Sequence, residues 1–179
     1  MVSFERGTYV LVLRLTHHRT MRVGSLGRLR FARGYYAYVG SARRGMRSRV
    51  ARHLSRKKKK RWHIDWLTTQ PSVVPIAVAS TTLTGVECKI ALLLSNGADG
   101  RVDGFGCSDC ECESHFFYFL RVDDLFSALN VRASTLSTPF HSKRRARGPC
   151  NPCSRLGQWI VCSVNEQSAL TEKTKSNRT

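Results

Sequence analysis

The sequence has no long hydrophobic run and no secretory leader pattern. No apolar stretch approaches the roughly 20 residues that a membrane-spanning helix needs. The chain passes from Met1 almost directly into a strand-like run, without a basic segment followed by an apolar one. These absences argue against a helical membrane protein and against secretion. We therefore expect a cytoplasmic location and no membrane partner.

Acidic residues are nearly missing from the first third of the chain. Residues 1–61 contain 18 Lys and Arg against one acid, Glu5, whereas residues 62–131 contain three bases and nine acids. The whole chain of 179 residues carries a net charge of +18. In the basic segment Arg outnumbers Lys and is interleaved with Tyr and His, which favours a phosphate backbone over a merely solvated surface. We expect a polyanionic partner, with nucleic acid as the first candidate.

The cysteines do not form an even set. Seven cysteines without a secretory signal argue against a disulfide scaffold. Four soft ligands lie within nine residues, in the pattern Cys107-x2-Cys110-x-Cys112-x2-His115. Zinc needs four ligands in a tetrahedral arrangement, and such a compressed set is unusual. We favour a tight glycine-rich loop with buried thiols and keep zinc as the alternative.

The hydrophobic pattern predicts an α+β domain over residues 1–133. Runs of β-prone residues predict strands, and apolar residues repeating every three or four positions predict helices. Arg49 and His53 are four residues apart and share a helix face. The predicted strands cover 8–15, 28–31, 35–39, 73–79 and 116–122, with 28–39 as a hairpin; the predicted helices cover 48–54, 62–67, 86–94 and 123–129.

The composition changes after about residue 133. Ser, Thr, Pro, Arg and Lys dominate residues 134–179, which we predict to be a disordered basic tail with at most a little order around 159–161. Cys150 and Cys153 have the spacing of half a zinc site, and Cys162 is the only further thiol in the tail.

Five side chains from separate segments carry the groups that phosphodiester hydrolysis needs. The reaction requires a deprotonated water, charge stabilisation at phosphorus and stabilisation of the leaving oxygen. A carboxylate can hold hydrated Mg²⁺, a guanidinium can bind the phosphate, and a phenol or imidazole can take or orient the proton. The five candidates are Tyr9, Tyr38, Arg49, His53 and Glu87.

At these residues the sequence resembles the GIY-YIG nuclease superfamily. The two motifs that name the superfamily correspond to Gly7-Thr8-Tyr9 and Tyr38-Val39-Gly40. The resemblance is closest to a largely prokaryotic, notably archaeal, branch described as the domain of unknown function DUF123, and it covers roughly residues 5–130. The longer strings that carry it are Tyr38-Val39-Gly40-Ser41-Ala42, Arg52-His53, Trp62-His63-Ile64-Asp65-Trp66-Leu67, Glu87-Cys88 and the cysteine-rich segment 104–115.

The resemblance implies a small three-stranded, mainly antiparallel sheet flanked by helices. The chain departs from the superfamily in the long interval between the two motifs, where residues 16–33 include an added hairpin strand. It implies that Tyr9 or Tyr38 activates or positions water and that Arg49 neutralises the phosphate. Glu87 would carry Mg²⁺ or Mn²⁺, and His53 would orient water or contact a phosphate. Relatives in this branch are sometimes fused to a DNA-repair glycosylase domain, which suggests repair or processing of DNA.

The expected activity is that of a metal-dependent endonuclease acting on DNA, with a monomer as the default state. His63 and Asp65 are either an orienting pair at the groove or structural residues at a helix start. Two alternatives stay open: a non-catalytic nucleic-acid-binding module, which has no need for Glu87, and a zinc-stabilised structural protein. The basic residues expected to contact phosphates without reading sequence are Arg43, Arg44, Arg47, Arg52, Lys57, Lys58, Lys59, Lys60 and Arg61.

Overall fold

A computed structural model describes residues 5–129, 154–156 and 159–164, and it confirms the α+β class. The strands are β1 (Gly7–Leu15), β2 (Arg19–Arg22), β3 (Arg28–Phe31), β4 (Gly34–Ala42), β5 (Val73–Thr81), β6 (Gly100–Arg101), β7 (Phe116–Phe119), β8 (Ser154–Leu156) and β9 (Trp159–Ser163). The helices are α1 (Met46–Leu54), α2 (His63–Thr68), α3 (Glu87–Gly97) and α4 (Val122–Ala128).

One antiparallel sheet organises the domain. Its strand order is β6-β7-β4-β1-β5-β9-β8, and every pairing among the described strands is antiparallel. The three longest strands, β4, β1 and β5, form its centre. The expected three-stranded sheet is therefore too small, because β7 and β6 add to one side and β9 and β8 to the other.

The added hairpin lies within residues 16–33, as expected, but it pairs differently. β3 pairs with β2 in a separate two-stranded sheet, and β4 pairs with β1, so the predicted hairpin over 28–39 is wrong. The chain reverses between β2 and β3 at Gly24 and Gly27, which have φ angles of +48° and +75°. Glycine adopts this left-handed region at little cost, so the chain can turn here and return β3 alongside β2.

The two faces of the central sheet bury two separate cores. Because side chains alternate along a strand, Tyr9, Leu11 and Leu13 face one core and Val10 and Val12 face the other. Helix α1 contributes Met46 and Val50 to the first core, and α3 contributes Ile90 and Leu94 to the second. Strand β1 is thus covered on both sides, which explains its nearly continuous apolar sequence.

The prediction of a disordered tail over 134–179 falls mostly outside the described residues. Two short strands from this segment, β8 and β9, are described, and β9 extends the sheet beside β5. Cys150 and Cys153 also lie outside the described residues. Within the described part of the chain, no helix has the length and apolar character to cross a bilayer.

Candidate active site

The five predicted site residues line one cleft of about 450 Å³. Tyr9 comes from β1 and Tyr38 from β4, Arg49 and His53 come from α1, and Glu87 is the first residue of α3. The cleft lies where these elements meet at one end of the central strands. The fold thus brings together side chains that are scattered along 79 positions of the chain.

The strand register and two glycines place the tyrosines. Tyr9 pairs with Gly40, and Leu11 pairs with Tyr38, so both phenols lie on the same face of adjacent strands. A Cβ atom at Gly40 would lie 2.6 Å from the Tyr9 ring and hydroxyl, and one at Gly7 would lie 2.0 Å from the Thr81 carbonyl oxygen. Each motif glycine therefore makes room for a close neighbour.

His53 connects the Tyr9 phenol to a buried carboxylate. The Tyr9 hydroxyl oxygen lies 2.9 Å from Nε2 of His53, and Nδ1 lies 3.4 Å from Oδ1 of Asp65. Burial lowers the pKa of His53 despite its contact with Asp65, so the ring is neutral near pH 7. In the tautomer that satisfies both contacts, Nδ1–H donates to Asp65 and Nε2 accepts from Tyr9.

Asp65 is fully buried. It both contacts a histidine of the cleft and holds the start of helix α2, which are the two roles suggested by the sequence. Its carboxylate accepts hydrogen bonds from Arg52 at 2.9 Å and from the backbone amides of Arg61 and Trp62, which immediately precede α2. The ammonium of Lys58 lies 3.5 Å away. Burial raises the pKa of Asp65, but hydrogen bonds from His53, Arg61, Arg52 and Trp62 outweigh it and hold the pKa well below its usual range.

Arg49 is half-buried and held from two sides. One guanidinium nitrogen donates to the Ser41 carbonyl oxygen at 3.0 Å, and the group lies 5.2 Å from the centre of the Trp62 ring. Arg52 lies 4.5 Å from the same ring. These contacts leave further Arg49 donors for an anion in the cleft. Trp62 was not assigned to the site from the sequence. The structure adds it, because the guanidinium groups of Arg49 and Arg52 both lie near its ring.

Both cleft phenols are protonated near neutral pH. Burial raises the pKa of Tyr38 to about 12, although the Arg49 charge acts in the opposite direction. Burial and the neighbouring Tyr38 raise the pKa of Tyr9 as well. Neither tyrosine is thus a preformed phenolate, so either hydroxyl would have to give up its own proton before it could act as a base.

Glu87 places a half-exposed carboxylate on the cleft wall. Within the described part of the chain, this carboxylate forms no hydrogen bond or ion pair. Asp109, in the loop before β7, is the second carboxylate that lines the cleft. Sequence reasoning missed Asp109, since nothing in its local pattern indicates that the loop folds back toward α3. Two carboxylates that line the same cleft are a donor type that suits a hydrated divalent cation.

The basic residues divide into exposed and internal groups. Lys58 is only 4% exposed, and its ammonium donates to the carbonyl of Arg52 and the hydroxyl of Thr68. Together with Arg52 it serves Asp65, so these two side chains are structural rather than free phosphate ligands. The exposed members of the predicted set are Arg43, Arg44, Arg47, Lys57, Lys59, Lys60 and Arg61.

The soft ligands meet in a different set from the predicted one. Ligand atoms of Cys88, Cys110, Cys112 and His115 all lie within 4.8 Å of one another. Cys107 is outside this group, and its side chain is buried in the loop. The cluster therefore differs from the predicted set in one member. The sequence did not place Cys88 in it because 22 positions separate Cys88 from Cys110.

Comparison with known proteins identifies the family of the chain. The family model for the domain of unknown function DUF123 matches residues 8–137, well over half of the sequence. No curated protein and no solved structure matches the chain. The matched region contains every cleft residue named above, and the chain belongs to the DUF123 family.

Proposed function

We propose that this chain is a metal-dependent endonuclease of the GIY-YIG type that hydrolyses phosphodiester bonds in DNA. The observation that carries the proposal is the convergence of Tyr9, Tyr38, Arg49, His53 and Glu87 on one cleft. A chance scatter of these residue types over separate elements would not share a cavity. The exposed arginines and lysines around α1 supply the positive potential that a nucleic-acid backbone requires.

The proton path runs from water through Tyr9 to His53. The Tyr9 oxygen accepts a proton from water as the phenol passes its own proton to Nε2 of His53, 2.9 Å away. The resulting imidazolium is stabilised by the Asp65 carboxylate on the opposite nitrogen. The hydroxide then attacks phosphorus as the bond to the leaving oxygen breaks. The leaving oxygen takes a proton from solvent, and the His53 imidazolium returns its proton to solvent. The raised pKa of Tyr9 makes this concerted transfer preferable to a free phenolate.

Arg49 and Tyr38 act on the phosphate and the water. The Arg49 guanidinium binds the scissile phosphate and offsets the charge that develops on its non-bridging oxygens. Tyr38 keeps its proton, because its pKa is about 12. Its hydroxyl donates a hydrogen bond to a phosphate oxygen or to the attacking water. Ser41 and Trp62 hold Arg49 in place, so less side-chain entropy is lost on binding.

Glu87 and Asp109 are the residues that would hold Mg²⁺ or Mn²⁺. These residues fit a divalent cation because their carboxylate oxygens line the cleft. The Glu87 carboxylate also has no hydrogen-bond or ion-pair partner within the described residues. When bound, the cation supplies charge neutralisation at the leaving oxygen. A single cation held by one or two carboxylates and water is the usual magnesium arrangement.

The decisive experiment measures cleavage and binding separately. Purified full-length protein is incubated with supercoiled plasmid and with labelled linear duplex, branched DNA, single-stranded DNA and RNA, with Mg²⁺, Mn²⁺ or a chelator. We expect metal-dependent cleavage of DNA that Arg49→Ala and Glu87→Gln reduce at least about 100-fold, in line with the loss of one charge-stabilising group. Glu113→Gln, at an exposed carboxylate outside the cleft, should leave cleavage unchanged.

Two outcomes would overturn the proposal. Binding of DNA without cleavage by any metal would favour the non-catalytic binding module. Cleavage that survives both cleft substitutions would place the activity in a different site or in a contaminating nuclease. Preferential cleavage of RNA would retain the chemistry but change the substrate class.

A further inference from the structure

We propose that Cys88, Cys110, Cys112 and His115 form a structural zinc site that joins helix α3 to the loop before β7. Their four ligand atoms lie within 4.8 Å of one another. This ligand set differs from the one that the sequence pattern suggests, because Cys88 replaces Cys107. The site does not depend on the nuclease proposal, since it rests on the thiols and the imidazole alone.

The ligand atoms lie close enough for a tetrahedral zinc centre to form with small side-chain movements, since none is more than 4.8 Å from another. Bonds of about 2.3 Å to sulfur and about 2.0–2.1 Å to nitrogen place ligand atoms roughly 3.6–3.8 Å apart at a tetrahedral ion. The observed separation between Sγ of Cys110 and Nε2 of His115 is 3.5 Å. Three thiolates and one imidazole are a ligand combination that selects zinc among common biological cations.

The backbone around the ligands is held before any metal binds. The amide of His115 donates to the Phe105 carbonyl at 2.9 Å, and its own carbonyl accepts from the amide of Val39 at 2.9 Å. The amide of Gly104 donates to the Glu113 carbonyl at 2.8 Å across the loop. These bonds fix both ends of the loop that carries Cys110 and Cys112, so the entropic cost of assembling the site is low.

A disulfide explains these residues less well. A disulfide would use two of the three thiols and would leave the third thiol and the His115 imidazole without a role. Four converging soft ligands instead satisfy a four-coordinate ion completely. With all four positions taken by protein, no open position is left for water, so zinc is structural and distinct from the cation proposed at Glu87.

The proposed zinc site adjoins both of the carboxylates that line the cleft. Cys88 follows Glu87 directly at the start of α3, and Cys110 follows Asp109 directly in the loop. A zinc ion bound to Cys88 and Cys110 therefore constrains the distance between Glu87 and Asp109. Zinc removal should loosen this part of the cleft without changing the ion pairs around Asp65, which join α1 and the lysine run to α2.

The test uses the full-length protein purified under reducing conditions, stripped with chelator and reloaded with one zinc equivalent. Elemental analysis should find about one zinc per chain in the parent. Cys88→Ser should lose it, whereas Cys107→Ser should keep it, and this matched pair separates the two ligand sets. A triple variant with Cys150→Ser, Cys153→Ser and Cys162→Ser should also keep the zinc.

A second measurement on the unmodified protein guards against variants that fail to fold. Zinc should protect Cys88 from alkylation in the native protein, as read by mass spectrometry, and chelator should restore its reactivity. Cobalt loading should give thiolate-to-metal absorption that falls on Cys112→Ser and persists in Cys107→Ser. Zinc that is absent after loading, that follows Cys107 or the tail cysteines, or that is replaced by a Cys88–Cys112 disulfide would overturn the proposal.

Discussion

The phenol oxygen of Tyr9 lies 2.9 Å from Nε2 of His53, although 44 positions separate the two residues. This contact joins the first central strand to the helix after the second motif. It gives a buried phenol a neighbour that can take its proton. In the proposed mechanism, neither residue could complete the proton transfer without the other.

Removing the Tyr9 hydroxyl should abolish most of the cleavage. Tyr9→Phe keeps the ring but deletes the atom that passes the proton, so we expect a loss in kcat of about 10²–10⁴ with little change in DNA affinity. Tyr36→Phe is the matched control, since the Tyr36 hydroxyl donates to the Ala32 carbonyl and does not line the cleft. Equal activity of the two variants would exclude Tyr9 as the proton carrier.

The pH dependence of cleavage should report His53. Burial lowers its pKa below 6.5, so the ring accepts a proton from Tyr9 at neutral pH and loses this capacity only as pH falls through its lowered pKa. We expect kcat to decline on the acid side, with a midpoint below 6.5. His53→Gln keeps a polar partner for Tyr9 but should remove this acid limb together with most of the rate.

His63 provides the control for that profile. It lines the same cleft, and burial lowers its pKa too, but its Nε2 contacts Ser25 rather than a tyrosine. His63→Gln should therefore keep the acid limb. A limb that disappears with His63→Gln and persists with His53→Gln would reverse the assignment.

The local elements were predictable because their signals are short-range. Strand β1 shows a nearly continuous β-prone run, and α1 shows an apolar repeat at Met46 and Val50, so their neighbours in sequence define them. The edges of the sheet were not predictable, since the pairing of β9 with β5 joins segments about 80 positions apart. The β3 strand was placed with the wrong partner for a different reason, since β2 and β4 both lie close to it in sequence and its alternating pattern does not choose between them.

The candidate site also contains residues that local sequence signals predict and residues that only packing between elements reveals. The five cleft residues were found through their motifs, but the partners that hold them depend on packing between elements. Asp65 reaches His53 only because α2 packs beside α1, and Cys88 reaches Cys110 only because the loop returns to α3. Lys58 belongs to a run of four lysines, and nothing in that run indicates which one turns inward.

Asp65 should contribute strongly to stability. Asp65→Asn removes the charge that compensates Arg52 and Lys58 in a buried setting, and breaking such a pair costs about 3–5 kcal/mol. Urea denaturation at pH 7 would measure the loss. Asp103→Asn is the control, because its carboxylate is 79% exposed beside Arg101 and solvent screens such an exposed pair.

The Asp65 carboxylate should make the folded protein less stable as the pH falls. The folded pKa of Asp65 is depressed, so its stabilisation is present above its unfolded pKa of about 4 and is lost as pH falls toward the folded value. The free energy of unfolding of the parent should therefore decrease below about pH 4. Asp65→Asn should show a shallower decrease, and an unchanged slope would contradict the assignment.

Gly40 should be intolerant of a methyl group. A Cβ at this position would lie 2.6 Å from the Tyr9 hydroxyl, so Gly40→Ala must displace the phenol from His53. We expect a loss of cleavage comparable to Tyr9→Phe and a stability cost of about 1–3 kcal/mol from overpacking. Gly100→Ala is the control in the same sheet, since its nearest neighbours lie 3.9 Å away. Equal activity of the two alanine variants would show that the close approach of Gly40 and Tyr9 is unimportant.

Substitutions in the lysine run should distinguish residues that bind phosphate from one that stabilises the fold. Lys57, Lys59 and Lys60 are exposed, so changing all three to Ala should weaken DNA binding and lower the dependence of log K on log salt by about 0.9 for each lost phosphate contact. Lys58→Met should leave that slope unchanged and lower the free energy of unfolding, because its buried ammonium contacts Asp65, Thr68 and the carbonyl of Arg52. Fluorescence anisotropy over a salt series and urea denaturation would measure the two effects. A slope that falls with Lys58→Met as much as with an exposed lysine would mean that Lys58 turns outward to the phosphate when DNA binds.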